Sequence, residues 1–269
     1  MKQENRYVIG DIHGCYDEFR MLINRIESED PNAAFVLVGD IIDRGPDSMK
    51  MLWWAMENCN RTDEKYVLLL GNHEYMKISF LKRYLELREN GHIRGLHDMP
   101  MDTYCFKQVL QEHAVDDDTI RQILKFFLSL PVVYETDGIL DGKKHHYIVV
   151  HGDIPWYCLN KNETFSKRSL SKVYLPTAEN GYGRSVVEEI VWGRNEIGHP
   201  ELKHTTIIHG HSPTIFLTKE EELQFRGRIR IRPQDINVDC GMAYKKSGDK
   251  YANLAALRLK DRKEVYFYI

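Results

Sequence analysis

The chain has 269 residues, 42% of them hydrophobic, and a formal net charge of −3. That length suits one large domain or at most two small ones, and a near-neutral charge gives no broad field to draw it onto nucleic acid or acidic lipid. Five scattered cysteines without a CxxC pair argue against a disulfide framework or a cysteine zinc site. The N-terminus, MKQENRYVIG, lacks the apolar core of a signal peptide. The longest apolar runs, FVLV and YVLLL, are too short to cross a bilayer. A soluble cytoplasmic monomer is expected, with no membrane or nucleic-acid partner.

In chain order, RYVIG (6–10), AFVLVG (34–39) and YVLLLG (66–71) are Val/Ile/Leu-rich runs that end in glycine, as strands buried on both faces do. About 25 residues separate them, enough for the crossovers of parallel pairing. Phe19, Leu22, Ile23 and Ile26 predict a helix over 15–26, and Met51, Leu52 and Ala55 another over 48–56. The result is βαβαβ. A helical insert is expected over about 76–130. It contains a helix over 76–87 and a second one in DDDTIRQILKFFLSLP, opened by acidic caps and closed before a proline. VVYET and HHYIVV read as a hairpin joined through 138–144. Residues 155–185, rich in Asn, Ser, Lys and Gly, read as a long loop. TTIIHG, RIRIRP, INVDCG, NLAALRL and VYFYI are five further strands. The fold class is therefore α/β, a single domain over 1–269 with two sheets packed together and helices outside. FRGRIRIRP (225–233) carries four arginines at alternate positions, which a strand would show on one face; a solvated face is the favoured reading, and a face that holds RNA or an acidic peptide is the alternative.

Five of the apolar runs end in the same way. They pass into Gly10-Asp11-Ile12-His13-Gly14, Gly39-Asp40-Ile41-Ile42-Asp43-Arg44-Gly45, Gly71-Asn72-His73-Glu74, His151-Gly152-Asp153 and His209-Gly210-His211. In α/β sheets, ligands collect beyond the carboxyl ends of the strands. So many polar groups brought together there are costly unless something pairs with them. Divalent cations do so, and mixed oxygen and imidazole donors suit Mn, Fe, Zn or Co better than calcium.

GDIHG, GDIIDRG and GNHE, followed by HGDIP, VWGRNEI and HGHSP, resemble the phosphoprotein phosphatase branch of the metallophosphoesterases. The nearest likeness is to the phage-type, lambda-phosphatase-like bacterial Ser/Thr (and Tyr) protein phosphatases. NVDCG and LAALRL resemble the end of those enzymes. The resemblance implies a calcineurin-like fold, a two-sheet β-sandwich flanked by helices, with two divalent metals, Mn²⁺ foremost, at the strand ends. Asp11 and His13 would hold the first metal and Asp40 would bridge. Asn72, His151 and His211 would complete the second, with Asn72 also on the substrate side. His209 is expected to face away and is left out.

The two metals would share a water as the attacking hydroxide. Arg44 and Arg194 would clamp the phosphoryl oxygens. His73 would be the general acid, with Asp43 accepting from its other ring nitrogen. Glu74 is expected to orient its loop, Asp153 to sit behind the ligands or to cap a turn, and Cys240 to be a buried thiol. The expected activity is phosphomonoester hydrolysis on a phosphorylated protein or peptide. The alternative is a nucleotide such as diadenosine tetraphosphate, since symmetrical hydrolases share these motifs. A metal-holding scaffold without turnover would show a lost ligand, acid or arginine, and none is lost.

Overall fold

The computed structural model describes residues 5–91, 101–155, 186–194, 202, 204–232 and 235–268, with the backbone only at 101–105 and 107. Apart from Pro155, the loop expected over 155–185 lies outside the described residues. The βαβαβ start forms as β1 (Asn5–Ile9), α1 (Tyr16–Glu29), β2 (Ala33–Leu37), α2 (Ser48–Asn58) and β3 (Tyr66–Leu68). Both pairings are parallel, with Val8 opposite Val36 and Val36 opposite Val67. Three residues separate β3 from α3 (Asn72–Glu89), which begins four residues before the helix expected from periodicity. α4 (Met101–Glu112) and α5 (Asp117–Ser129) complete the helical region. Asp116 caps α5 by accepting from Thr119 N at 2.7 Å.

β4 (Val133–Leu140) and β5 (Lys143–Val150) form a longer hairpin than expected. Asp141 and Gly142 turn it, both with positive φ, so two residues suffice where a seven-residue connection was predicted. The chain then runs through α6 (Val186–Trp192), β6 (Thr205–His209), β7 (Arg230–Ile231), β8 (Asp235–Asn237), β9 (Ala255–Arg258) and β10 (Glu264–Tyr266). The expected arginine strand is reduced to β7. Arg230 on it is buried, so the arginines do not form one solvated face.

The strands make two five-stranded sheets, ordered β10-β9-β1-β2-β3 and β4-β5-β6-β8-β7. Alternation along β1, β2 and β3 splits their side chains between two cores. Val8, Val36, Val38 and Val67 face the second sheet and meet Tyr147, Val149, Ile208, Ile236 and Val238. Tyr7, Ile9, Phe35, Leu37 and Leu68 face the helices and meet Phe19, Leu22, Ile23 and Leu52. Burial on both faces explains the unbroken apolar runs. Each such side chain stabilises the fold by about 1.5–3 kcal/mol. The parallel runs β1-β2-β3 and β5-β6-β8 each bring their carboxyl ends to one edge. Cys15, Cys59 and Cys240 are buried free thiols. Among the described residues, no helix is long and apolar enough to cross a membrane.

Candidate metal centre

The chain turns sharply where β1, β2 and β6 end. His13, Asp40, Asp43, Arg44 and His211 all have φ between 47° and 67°. A left-handed conformation costs a non-glycine residue on the order of 1–3 kcal/mol, and such strain concentrates at functional sites. Backbone bonds between the turns hold it in place. Asp40 O accepts from His13 N at 2.8 Å, and Ile41 O accepts from Gly14 N at 2.7 Å. Glu74, fully buried in the first turn of α3, ties β2 to β3. Its carboxylate accepts from Asp40 N (2.8 Å), Ile41 N (3.0 Å) and Gly71 N (3.1 Å). Glu74 therefore orients its loop, as expected. Burial and the Asp40 charge push its pKa up to about 7. Gly210 is glycine for a steric reason: a Cβ there would lie 2.1 Å from Asp11 Oδ1.

These turns bring the predicted residues together. Asp11, His13, Asp40, Asn72, His151 and His211 are all buried. Two triplets have possible ligand atoms within 4.8 Å of one another: His13, Asp40 and His73, and Asp40, His151 and His211. Asp40 belongs to both, the position of a bridging group. Asp11 is in neither triplet. Its carboxylate accepts from His211 N at 3.2 Å and so joins the β1 and β6 turns.

The donor set fits a cation. His13 Nδ1 lies 2.9 Å from Ile42 O, and His151 Nδ1 lies 3.1 Å from Val38 O. These bonds commit the Nδ1 protons and leave each Nε2 as a lone pair. His151 Nε2 then faces Asn72 Oδ1 at 2.8 Å and Asp40 Oδ1 at 3.4 Å. With the Nδ1 protons so placed, these acceptors face one another as they do around a cation. His211 Nδ1 lies 2.9 Å from the same Asn72 oxygen, and its Nε2 is buried without a partner.

Ionisation agrees. Burial lowers the His13 and His211 pKa values to about 3 and lowers that of His151, so all three are neutral, as ligation requires. Burial alone would push the Asp40 carboxyl up, but His151, His73 and His13 carry it below the usual range. Burial, then Asp239 and Asp40, raises Asp11 well above it. Such crowding of carboxylates is relieved when a cation binds.

His73 stands beside this cluster. Its backbone N donates to Asp40 Oδ1 at 2.9 Å, and its Nδ1 lies 2.7 Å from Asp43 Oδ2. Its Nε2 lies 3.2 Å from Arg44 Nη2. Burial opposes protonation of His73, but Asp40 and Asp43 outweigh it and raise the pKa. Arg44 and Arg194 are both exposed at the mouth. Arg44 Nη1 donates to Tyr244 Oη at 3.4 Å, and Arg194 Nη1 donates to Ser212 Oγ at 3.1 Å.

His209 does lie away from the cluster, though not through strand alternation, which would give residues two apart the same face. β6 ends at His209, and the positive φ of His211 turns its ring the other way. His209 Nε2 lies 2.8 Å from Asp235 Oδ2. Asp153 N bonds Ile190 O at 3.0 Å, and its Cβ packs against Gly193, just before Arg194.

Three residues at the site were missed from the sequence. Lys77, completely buried, places Nζ 2.8 Å from Asp43 Oδ2. It lies four residues after His73 on the same helix face, visible only if α3 is read as starting at Asn72. Asp239 is buried beside Asp11 and follows β8 in INVDCG, the same junction of apolar run, Asp and Gly. Burial raises its pKa to about 6. Tyr244, the support of Arg44, has no local signal.

Residues 6–239 match the family described as calcineurin-like phosphoesterase. Curated relatives include the symmetrical bis(5'-nucleosyl)-tetraphosphatase of Wigglesworthia glossinidia brevipalpis, 37% identical over 52% of this chain and 50% of that protein. The protein of that name from Nitrosospira multiformis is 31% identical over 35% of this chain and 33% of its own length. That from Methylobacillus flagellatus is 28% identical over 50% and 40%. The chain spans half or less of the length of these relatives. Among solved structures, a putative diadenosine tetraphosphatase superposes with a TM-score of 0.49 at 17% identity, covering 98% of this chain and 94% of that one. A cold-active protein-tyrosine phosphatase of a psychrophilic Shewanella gives 0.49 at 15%, covering 98% and 80%.

Proposed function

The chain belongs to the calcineurin-like phosphoesterase family, and from that premise we propose that it is a metal-dependent phosphohydrolase acting on a dinucleoside polyphosphate. The observation that carries the metal-dependent chemistry is Asp40, buried and shared between two triplets of possible ligand atoms. The nucleotide substrate is supported by the relatives, which carry the name tetraphosphatase. They favour the alternative drawn from the motifs over the phosphoprotein expectation.

Asp11, His13 and Asp40 would hold one cation, and Asp40, Asn72, His151 and His211 a second, with Asp239 behind Asp11. Oxygen and imidazole donors in this mixture suit Mn²⁺, Fe, Zn²⁺ or Co²⁺. When bound, such a pair supplies a nucleophile from water near neutral pH and neutralises phosphoryl charge. The chain's own residues do the rest. Arg44 and Arg194 take the phosphoryl oxygens through forked hydrogen bonds. Arg44 leaves His73 Nε2 to do so, which frees that nitrogen to carry a proton to the leaving oxygen. Asp43 holds the Nδ1 proton and stabilises the imidazolium, and Lys77 holds Asp43 in place.

A phosphorylated peptide is the second reading, favoured by both arginines lying exposed at the mouth rather than inside a closed pocket. The test is a side-by-side comparison of kcat/KM on diadenosine tetraphosphate, a phosphoserine peptide and a phosphotyrosine peptide with added Mn²⁺. A preference for the dinucleotide, abolished by chelator, is expected. A preference for either peptide would replace the substrate reading, and turnover indifferent to chelator would end the metal reading.

A further inference from the structure

Next to the metal centre, beyond Arg194 and Ser212, lies a cleft of about 310 Å³, the size of a small-molecule site. Arg194, Phe216, Lys219, Arg230 and Arg232 line it. It is not an ordinary solvated surface. Arg230 is 8% exposed, and its buried Nε has no hydrogen-bond partner. Its Nη2 reaches Asp235 Oδ1 at 3.1 Å, and Arg232 pairs with Glu222. Four permanent cations thus face two carboxylates, so the cleft stays net positive when it is empty. A net positive, partly enclosed cleft of this kind favours an anionic ligand.

Two of its lining residues connect the cleft to the proposed phosphate clamp. Arg194 belongs to each. Phe216, 56% exposed, presents its ring beside the cationic wall and packs edge-on against Tyr244 at 4.9 Å. Tyr244 in turn supports Arg44. An exposed aromatic ring and a line of cations, both joined to the residues that would clamp the scissile phosphoryl group, match a ligand with two kinds of surface. It needs further phosphate charge next to the reacting centre and a flat ring beyond it.

We propose that this cleft is the subsite for one nucleoside diphosphate half of the substrate, with Arg230, Arg232 and Lys219 on the diphosphate and Phe216 against the base. The proposal rests on the nucleotide reading and gives it a place in the molecule.

The test uses Mn²⁺-loaded enzyme and inhibition of p-nitrophenyl phosphate hydrolysis by three probes: orthophosphate, methylenediphosphonate and ADP. Ratios of inhibition constants within each variant cancel any change in turnover. Lys219→Ala is expected to weaken ADP and methylenediphosphonate about tenfold relative to orthophosphate, as loss of a charge-assisted contact does. Phe216→Ala is expected to weaken ADP about fivefold or more relative to methylenediphosphonate, since base stacking is worth ~1–3 kcal/mol. Ratios unmoved in both variants would overturn the proposal. A response to Lys219→Ala without one to Phe216→Ala would overturn the nucleotide assignment in favour of an acidic peptide.

Turnover of diadenosine tetraphosphate by the unaltered enzyme tests the parent reading separately. Cleavage with unmoved ratios keeps that reading and loses the cleft. Absent cleavage with both ratios moved loses the reading as a substrate and keeps the cleft as a nucleotide site.

Discussion

His209 and His211 stand two residues apart, both buried, and burial acts on them alike, yet they ionise in opposite directions. His209 faces Asp235, which outweighs desolvation and raises its pKa. Asp235 also pairs with Arg230, so the carboxylate facing His209 is held in place from its other side. His211 faces an imidazole and an amide oxygen, and its pKa falls to about 3. In the metal cluster, acceptor meets acceptor. The two regions show that residue type does not make a ligand. His209 has a carboxylate at 2.8 Å to satisfy it, and His211 Nε2 is buried without a partner, as a candidate ligand would be.

The sharpest way to break this comparison is to remove the group shared by both triplets. Asp40→Ala is expected to lower turnover about 10⁴-fold or more. Elemental analysis should show loss of metal, and retained metal would remove Asp40 from the bridging role. Next, His73→Asn is expected to lower kcat by about 10²–10⁴-fold on an unactivated phosphate ester with metal content unchanged. An unaltered kcat would strike His73 from the chemistry.

The contrast itself is sharpened by a crossed pair. His209→Leu breaks a buried ion pair and should cost about 3 kcal/mol of unfolding free energy while metal content and p-nitrophenyl phosphate turnover persist. His211→Ala should do the reverse, losing metal while the metal-free fold melts within a few degrees of the parent. If the two variants behave alike in calorimetry and metal analysis, the distinction fails.

The paired network also carries a pH signature. His209 is raised, so its contribution is complete below the unfolded value of ~6.5 and is lost as pH rises through the folded value. Although burial opposes it, His209 and Arg230 lower the Asp235 pKa, so the Asp235 contribution is complete above ~4 and is lost as pH falls through its folded value. The stability difference between the parent and His209→Leu should therefore be greatest between about pH 4 and 6.5. A difference that grows above pH 8 would contradict that sign.

The smallest effect belongs to Lys77. Lys77→Met frees Asp43 from its ion pair and should lower kcat about tenfold where the leaving group needs a proton. p-Nitrophenyl phosphate, whose leaving group needs little help, should be much less affected. An equal loss on both would make Lys77 a stability residue only.

Much of this was legible because strands buried on both faces leave long apolar runs, and a run that ends in Asp, Asn or His is conspicuous. β1, β2, β3, β5 and β6 were visible in that way, and the cluster residues came with them. The start of α3 was not, because Asn72 and His73 break the apolar periodicity that marks a helix, and Lys77 was lost with it. Asp239 was overlooked although β8 ends in the same pattern. Arg230 was misread because alternation places four arginines on one face only while the strand lasts, and β7 covers two residues.

Local sequence determined where the strands that lead into the cluster would lie and stop, and which donors would stand at those stops, since period, glycine and polarity are properties of neighbours in the chain. Tertiary structure decided which donors lack a partner. β1–β3 and β5–β6 lie in different sheets, so the approach of His151 and His211 to Asp40 and Asn72 depends on how the two sheets pack. Electrostatic energy depends on distance through space and on burial, and a sequence specifies neither for residues far apart in the chain.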